Sequence, residues 1–300
     1  MKKELNGMYV ALMSGFDDHG ELNAERQNNI IDYAVRQRVR GLYVGGSSAE
    51  SGLMSTDELL VQQAWVSERA SGKTDKLIAH VGQPNLADSI KLVRQAARLE
   101  YDALSALPPH SYRFSDQEIL SYYQALAKET DLPLIVYEVP VRTGRDLPME
   151  LLDEIMKLPN VTGIKFTSSD LFKLSILKRR HPDKHFYFGF DEIYASAAIM
   201  GTDGGIGTTY NVLGNLYVAI DDAIRNSDLV EARRLQVLSQ RYIELLFETG
   251  VLPGVKLTMQ AIGIDCGPVR APLKLLSKEA AQHLKAFVAL PELAKWYANN

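Results

Sequence analysis

The chain has 300 residues, 46% hydrophobic and 23% charged, enough apolar material for a large buried core. Its 33 basic and 37 acidic residues are interspersed and leave a formal net charge of −4, which gives no basis for a nucleic-acid or membrane surface. The single Cys266 excludes an internal disulfide and no Cys/His spacing suggests zinc. The opening Met1-Lys2-Lys3-Glu4 lacks the apolar run of a secretory leader, so a cytoplasmic protein is expected.

Taken in order, short apolar runs recur at residues 8–13, 41–46, 77–82, 103–107, 133–138, 161–165, 186–189 and 203–207. Each is followed by apolar residues at helical spacing, such as Ile30, Ile31, Ala34 and Val35, or Leu120, Tyr123, Leu126 and Ala127. Two helix starts carry capping boxes, Ser55-Thr56-Asp57-Glu58 and Ser115-Asp116-Gln117-Glu118. Strands alternating with helices imply right-handed crossovers and a parallel sheet. Eight even units over about 220 residues predict an α/β fold closed as a (β/α)8 TIM barrel, in preference to an open doubly wound sheet. From residue 228 the pattern is helical only. Leu235, Leu238, Tyr242 and Leu245 share a face, Gly250 with Pro253 ends that helix, and another helical region runs from Lys278 to the end. The expected division is therefore a barrel over 1–227 and an all-helical extension over 228–300.

In such a barrel the C-terminal strand ends meet at one mouth. The second strand ends in Gly45-Gly46-Ser47-Ser48-Ala49-Glu50, the fifth in Tyr137-Glu138-Val139-Pro140 and the sixth in Lys165-Phe166-Thr167. The seventh ends in Gly189-Phe190-Asp191-Glu192 and the eighth in Gly204-Gly205-Ile206-Gly207-Thr208-Thr209-Tyr210-Asn211. Taken alone, Lys165 reads as a lysine marking the strand's exit into water. Among these neighbours it reads as an amine for Schiff-base chemistry on a ketone, since burial lowers a lysine's pKa. Tyr137 is the candidate proton carrier, and Ser47 and Ser48 beside glycine suit a small carboxylate. Asp191 and Glu192 can accept hydrogen bonds from a polyhydroxylated substrate.

These motifs, in this order and over nearly the whole chain, resemble the N-acetylneuraminate lyase and dihydrodipicolinate synthase family of class I aldolases. The stretches 189–192 and 204–211 are most similar to its sialic-acid lyase branch. The resemblance implies Lys165 as the Schiff-base lysine, Tyr137 as the proton shuttle, and Ser47 and Ser48 on the pyruvate carboxylate. It further implies Thr167, Gly189, Asp191, Glu192 and Thr208 on the sugar part, a homotetramer, and no metal or organic cofactor. The reaction it implies is reversible cleavage of N-acetylneuraminate to N-acetylmannosamine and pyruvate. Condensation of pyruvate with aspartate semialdehyde and cleavage of another 2-keto-3-deoxy sugar acid are the rival reactions. A relative that only binds a keto acid or sugar acid is the non-enzymatic alternative.

Several residues depart from the family pattern. Ala49 stands where glycine is usual, Glu138 where Asn is usual, Ser14-Gly15 where Thr-Pro is common, and Leu107-Pro108-Pro109-His110 where many lyases are aromatic-rich. Arg142, in Val141-Arg142-Thr143-Gly144, resembles the synthase branch and suits a carboxylate of a second substrate. Duller alternatives stand beside these roles. Tyr137 could be a core tyrosine, Asp191 an N-cap for residues 193–200, Ser47 and Ser48 turn residues, Thr208 a turn filler, and Arg142 an ion-pair partner of Asp146. His80 is expected in the core or lining the barrel. Ser71-Gly72-Lys73-Thr74 is no P-loop, because position 67 is Ser and a strand follows instead of preceding it. The 201–207 run lacks dinucleotide spacing, and residues 45–49 lack the closing glycine of a nucleophile elbow.

Overall fold

A computed structural model describes residues 5–298 of the chain. Its strands are β1 Gly7–Ala11, β2 Gly41–Val44, β3 Lys76–His80, β4 Ala103–Ala106, β5 Leu134–Glu138, β6 Val161–Phe166, β7 His185–Phe188 and β8 Gly204–Gly207. Each pairs in parallel with the next, and β8 pairs with β1, so the sheet closes as the barrel the sequence predicts. Helices follow the strands and cover the outside. Two of them start on the expected capping boxes: Ser55 Oγ accepts from Glu58 N at 3.2 Å, and Ser115 Oγ accepts from Glu118 N at 3.3 Å.

The period-two alternation of each strand sorts its side chains between two cores. Outward residues such as Val10, Leu42, Val136, Ile164 and Phe166 pack with the surrounding helices. Inward residues fill the lumen with Tyr9, Tyr43, Ile78, Ile135, Tyr187 and Ile206. Tyr9 and Tyr187 close its lower end, both phenols donating to Leu5 O at 2.8 and 2.7 Å. Above them, register places Tyr137 opposite Lys165 and Lys165 opposite Tyr187. The same parity turns Lys165 inward while its neighbours Ile164 and Phe166 face the helices.

After β8 the chain is helical. Asp228 caps the helix Leu229–Thr249 by accepting from Glu231 N, and Leu235, Leu238 and Tyr242 are buried along it, whereas Leu245 is only partly so. Gly250 ends that helix as expected, with φ 83°. Pro253 does not belong to the stop. It sits in the first turn of the next helix, Val251–Ala261, where no backbone N–H is required. Helices Lys278–Val288 and Pro291–Ala294 follow. Among the described residues no helix is long and apolar enough to cross a membrane.

Candidate active site

The strand ends form one cavity lined by Ser47, Ser48, Tyr137, Arg142, Lys165, Thr167, Gly189, Asp191, Glu192 and Thr208. All ten residues singled out in the sequence therefore face the same space. Lys165 is buried at its base, with Nζ 4.2 Å from the centroid of the Tyr137 ring. Burial pushes the amine down from the ordinary lysine range and the Arg142 guanidinium adds to this, while Tyr137 and Asp191 oppose it. Burial pushes the Tyr137 phenol up. The Lys165 and Arg142 cations, with the Ser47 and Thr167 hydroxyls, more than offset that, and the net direction is down. A core tyrosine tied to a carbonyl would show neither feature.

The carboxylate candidates sit on a short 3-10 turn, Ser47–Ala49, directly after β2. Ser48 and Thr208 share a 2.7 Å hydrogen bond across the mouth, so Thr208 does more than fill a turn. Ala49 is accommodated without strain, because the left-handed residue is Glu50, at φ 61°. The turn is held from behind. Ser14 Oγ donates to Ala49 O at 2.6 Å, which gives the Ser14 departure a local use. Glu50 is fully buried, with Oε1 3.1 Å from Lys256 Nζ and Oε2 accepting from Arg270 N at 2.7 Å. Lys256 also donates to Pro268 O, and the Phe16 ring lies between Lys256 and Arg270, 4.6 and 4.4 Å from the two cations. The C-terminal extension thus clamps the loop that carries Ser47 and Ser48.

On the opposite side, Gly189 is where the backbone must come close. A Cβ there would lie 1.9 Å from Thr167 Oγ1 and 3.4 Å from Lys165 Cε. Thr167 Oγ1 is buried and turned toward the Tyr137 phenol, and Asp191 Oδ1 is buried with no hydrogen-bond partner. Asp191 is not an N-cap: the helix Tyr194–Ile199 has no side-chain cap. Instead Asp191 Oδ2 accepts from Thr209 N at 2.8 Å and from Thr209 Oγ1 at 2.7 Å. Burial lifts this carboxyl to about 6, against those two bonds and with Glu192 adding to the rise. One oxygen is therefore committed to Thr209 and the other is buried without a hydrogen-bond partner.

Arg142 is exposed at the rim and does not pair with Asp146, which pairs with Lys173; Arg142 makes no ion pair among the described residues. Glu138 points away from the mouth. Its Oε1 accepts from Leu147 N at 3.0 Å and lies 3.8 Å from Lys173 Nζ. Burial raises it to about 8. It ties β5 to the far end of the segment bearing Arg142.

Two sets of residues at or beneath the cavity were not singled out in the sequence. Ile243, Leu246, Phe247 and Val251 bring an apolar wall from the C-terminal helices. Their helical pattern signals burial but not against what. Tyr43 lies under Lys165, with Nζ 4.2 Å from its ring centroid. The alternation of β2, which turns Tyr43 inward, was the signal available for it.

A closed parallel barrel with a buried lysine, a phenol and serine hydroxyls at its C-terminal mouth defines an aldolase-type lyase. The chain belongs to the dihydrodipicolinate synthetase family, which matches residues 4–290. It is 41% identical over 292 residues to the N-acetylneuraminate lyase of Rhizobium meliloti (strain 1021), covering 97% of this chain and 96% of that one. A Clostridium difficile structure solved in complex with mannosamine superposes with a TM-score of 0.92 at 32% identity, over 98% of this chain and 99% of that one. The N-acetylneuraminate lyase of Fusobacterium nucleatum complexed with pyruvate gives a TM-score of 0.90 at 32% identity and the same coverage.

Proposed function

We propose that this protein cleaves N-acetylneuraminate reversibly to N-acetylmannosamine and pyruvate, with Lys165 as the Schiff-base amine and Tyr137 as the proton shuttle. The observation that carries the reading is the buried Lys165–Tyr137 pair facing hydroxyls on one side and the Asp191–Glu192 pair on the other. Neutral Lys165 attacks the C2 carbonyl carbon of the open-chain keto acid, and loss of water leaves an iminium. Ser47 and Ser48 hold the C1 carboxylate. The Tyr137 oxygen takes the C4 hydroxyl proton and the C3–C4 bond breaks. Its electron pair passes to the iminium nitrogen as an enamine, and the aldehyde leaves. Tyr137 then returns the proton to C3, and water hydrolyses the imine to free pyruvate and Lys165. Thr167, Asp191, Glu192 and Thr208 hold the sugar hydroxyls, while Gly189 leaves room for Thr167.

In this reading residues 1–227 carry the chemistry and residues 228–300 wall the mouth. A homotetramer is supported by the family resemblance, and a cytoplasmic setting by the lone cysteine. The test is pyruvate release from N-acetylneuraminate, followed with lactate dehydrogenase and NADH, together with borohydride reduction in the presence of pyruvate. Release and a pyruvate-derived mass on Lys165 are expected, both lost in Lys165→Ala with the barrel still folded. Turnover by Lys165→Ala would refute the mechanism. A chain that binds pyruvate but stays unmodified would identify a binding protein instead.

Arg142 favours a second reading for a carboxylate-bearing partner such as aspartate semialdehyde, because an unpaired guanidinium at the rim suits a carboxylate. In Arg142→Leu, the KM for such an aldehyde would rise at least tenfold while that for N-acetylmannosamine stayed within twofold. Equal KM values in wild type and variant would leave the sugar reading alone.

A further inference from the structure

Tyr43 takes part in none of the steps above, yet it is the inward residue of β2 closest to the reacting nitrogen. Its ring centroid is 4.2 Å from Lys165 Nζ, and its ring meets that of Tyr137 edge to face at 6.4 Å. Lys165 therefore stands between two aromatic faces, both at 4.2 Å. The carboxylate loop rests on the same ring: a Cβ at Gly46 would lie 2.5 Å from it, so that position must be glycine for the loop to pass. The phenol oxygen is hydrogen-bonded to Ser105 Oγ at 3.1 Å and to His80 Nδ1 at 2.9 Å. The ring is held at its hydroxyl and along the side that Gly46 passes, and a face is presented to the amine.

We infer that Tyr43 stabilises the protonated Schiff-base nitrogen through its ring face, and that His80 and Ser105 are positioning residues that hold that ring in place. The inference rests on the Schiff-base role of Lys165. A cation over an aromatic face is attracted by the ring quadrupole, most strongly when water is excluded. An iminium is such a cation, and it is the electron sink on which C–C cleavage depends. Burial keeps the Tyr43 phenol protonated, so the ring acts as a neutral π face and not as a competing base. Burial, with Lys165 adding to it, pushes His80 down to about 3, so no second cation faces the iminium from β3. The other groups bearing on Lys165 are Tyr137, Asp191 and Arg142.

The test is the pH dependence of borohydride trapping of pyruvate, read as mass on Lys165, with kcat measured alongside. In Tyr43→Leu the charged amine loses the ring, so its pKa falls further. The acid limb of trapping moves about one pH unit lower, and kcat falls roughly tenfold because the iminium is less stable. Tyr43→Phe keeps the face, so its acid limb stays at the wild-type pH. Tyr43→Met serves as a second ring-free variant if Tyr43→Leu does not fold. An acid limb that stays in place in the ring-free variant overturns the inference. So does a limb that moves upward, because that is the signature of water filling the space. A shift of equal size in Tyr43→Phe overturns it as well, since the ring would then not be the cause. Absence of trapping in the wild type would remove the Schiff-base reading itself, which is a separate result.

Discussion

Glu138 offers a quantitative test of how the site is supported. It is buried on the outside of β5, its carboxyl lifted from 4.5 to about 8, chiefly by burial. Leu147 N–H and Lys173 lower it and Asp146 raises it. Between these two values the unfolded chain has lost its proton and the folded protein still keeps it. Folding therefore binds a proton there, and stability falls as pH rises from about 4.5 to about 8. At 1.36 kcal/mol per pH unit the full effect is bounded at about 5 kcal/mol; relaxation and water entry reduce it to about 2–3 kcal/mol. Glu138→Gln keeps an oxygen for Leu147 N–H and removes the ionisation. Urea unfolding at fixed subunit concentration, from pH 5 to pH 9, is the assay. The variant and wild type should be close in stability at pH 5. The variant should gain steadily up to about pH 8, and the gap should stay constant above that. Parallel stability profiles at all pH values would refute the reasoning, and so would a gap that narrows as pH rises.

Two further outcomes follow from the mouth. Gly189→Ala would drive a methyl into Thr167 Oγ1 and against Lys165 Cε, so kcat/KM should fall at least tenfold and stability by about 1–3 kcal/mol. Wild-type kinetics would show that the close approach is not functional. Ionised Asp191 accepts hydrogen bonds at both oxygens, protonation turns one of them into a donor, and burial lifts its carboxyl to about 6. The KM for N-acetylmannosamine in the condensation direction should therefore rise as pH drops through that value, while the KM for pyruvate does not. A sugar KM that is flat with pH in the wild type would remove Asp191 from sugar binding, and Asp191→Asn supplies the flat reference.

The barrel was legible because its strands and helices differ in period, and the mouth followed because parallel closure forces all strand C-termini to one end. Lys165 and Tyr137 stood out through their places at strand ends facing that mouth and through the order of the motifs around them. What depends on partners distant in sequence was hidden. A helix cap was the duller reading of Asp191 because its position before a helix is visible, whereas Thr209, which takes one of its oxygens, is on another strand's loop. Arg142 and Asp146 are close in the chain, but Lys173 reaches Asp146 from the helix that follows β6. Pro253 read as a stop because proline breaks helices, yet the chain restarts so soon after Gly250 that it falls in a first turn. Tyr43 was overlooked for the opposite reason. A tyrosine within a strand reads as core, and nothing in the local sequence marks the lysine above it.

The clamp between Glu50 and the pair Lys256 and Arg270 has a consequence for how such an enzyme can be altered. In the proposed reading it joins the turn that would grip the keto-acid end of a substrate to the helices whose Ile243, Phe247 and Val251 would border the aldehyde end. Two demands that a designer would want to separate, constant grip and adjustable reach, thus share one piece of scaffold. Exchanging side chains on the wall while leaving Lys256 and Arg270 untouched is the route by which acceptance of new aldehydes can change without loosening the keto acid. Replacing the helices wholesale would change both at once.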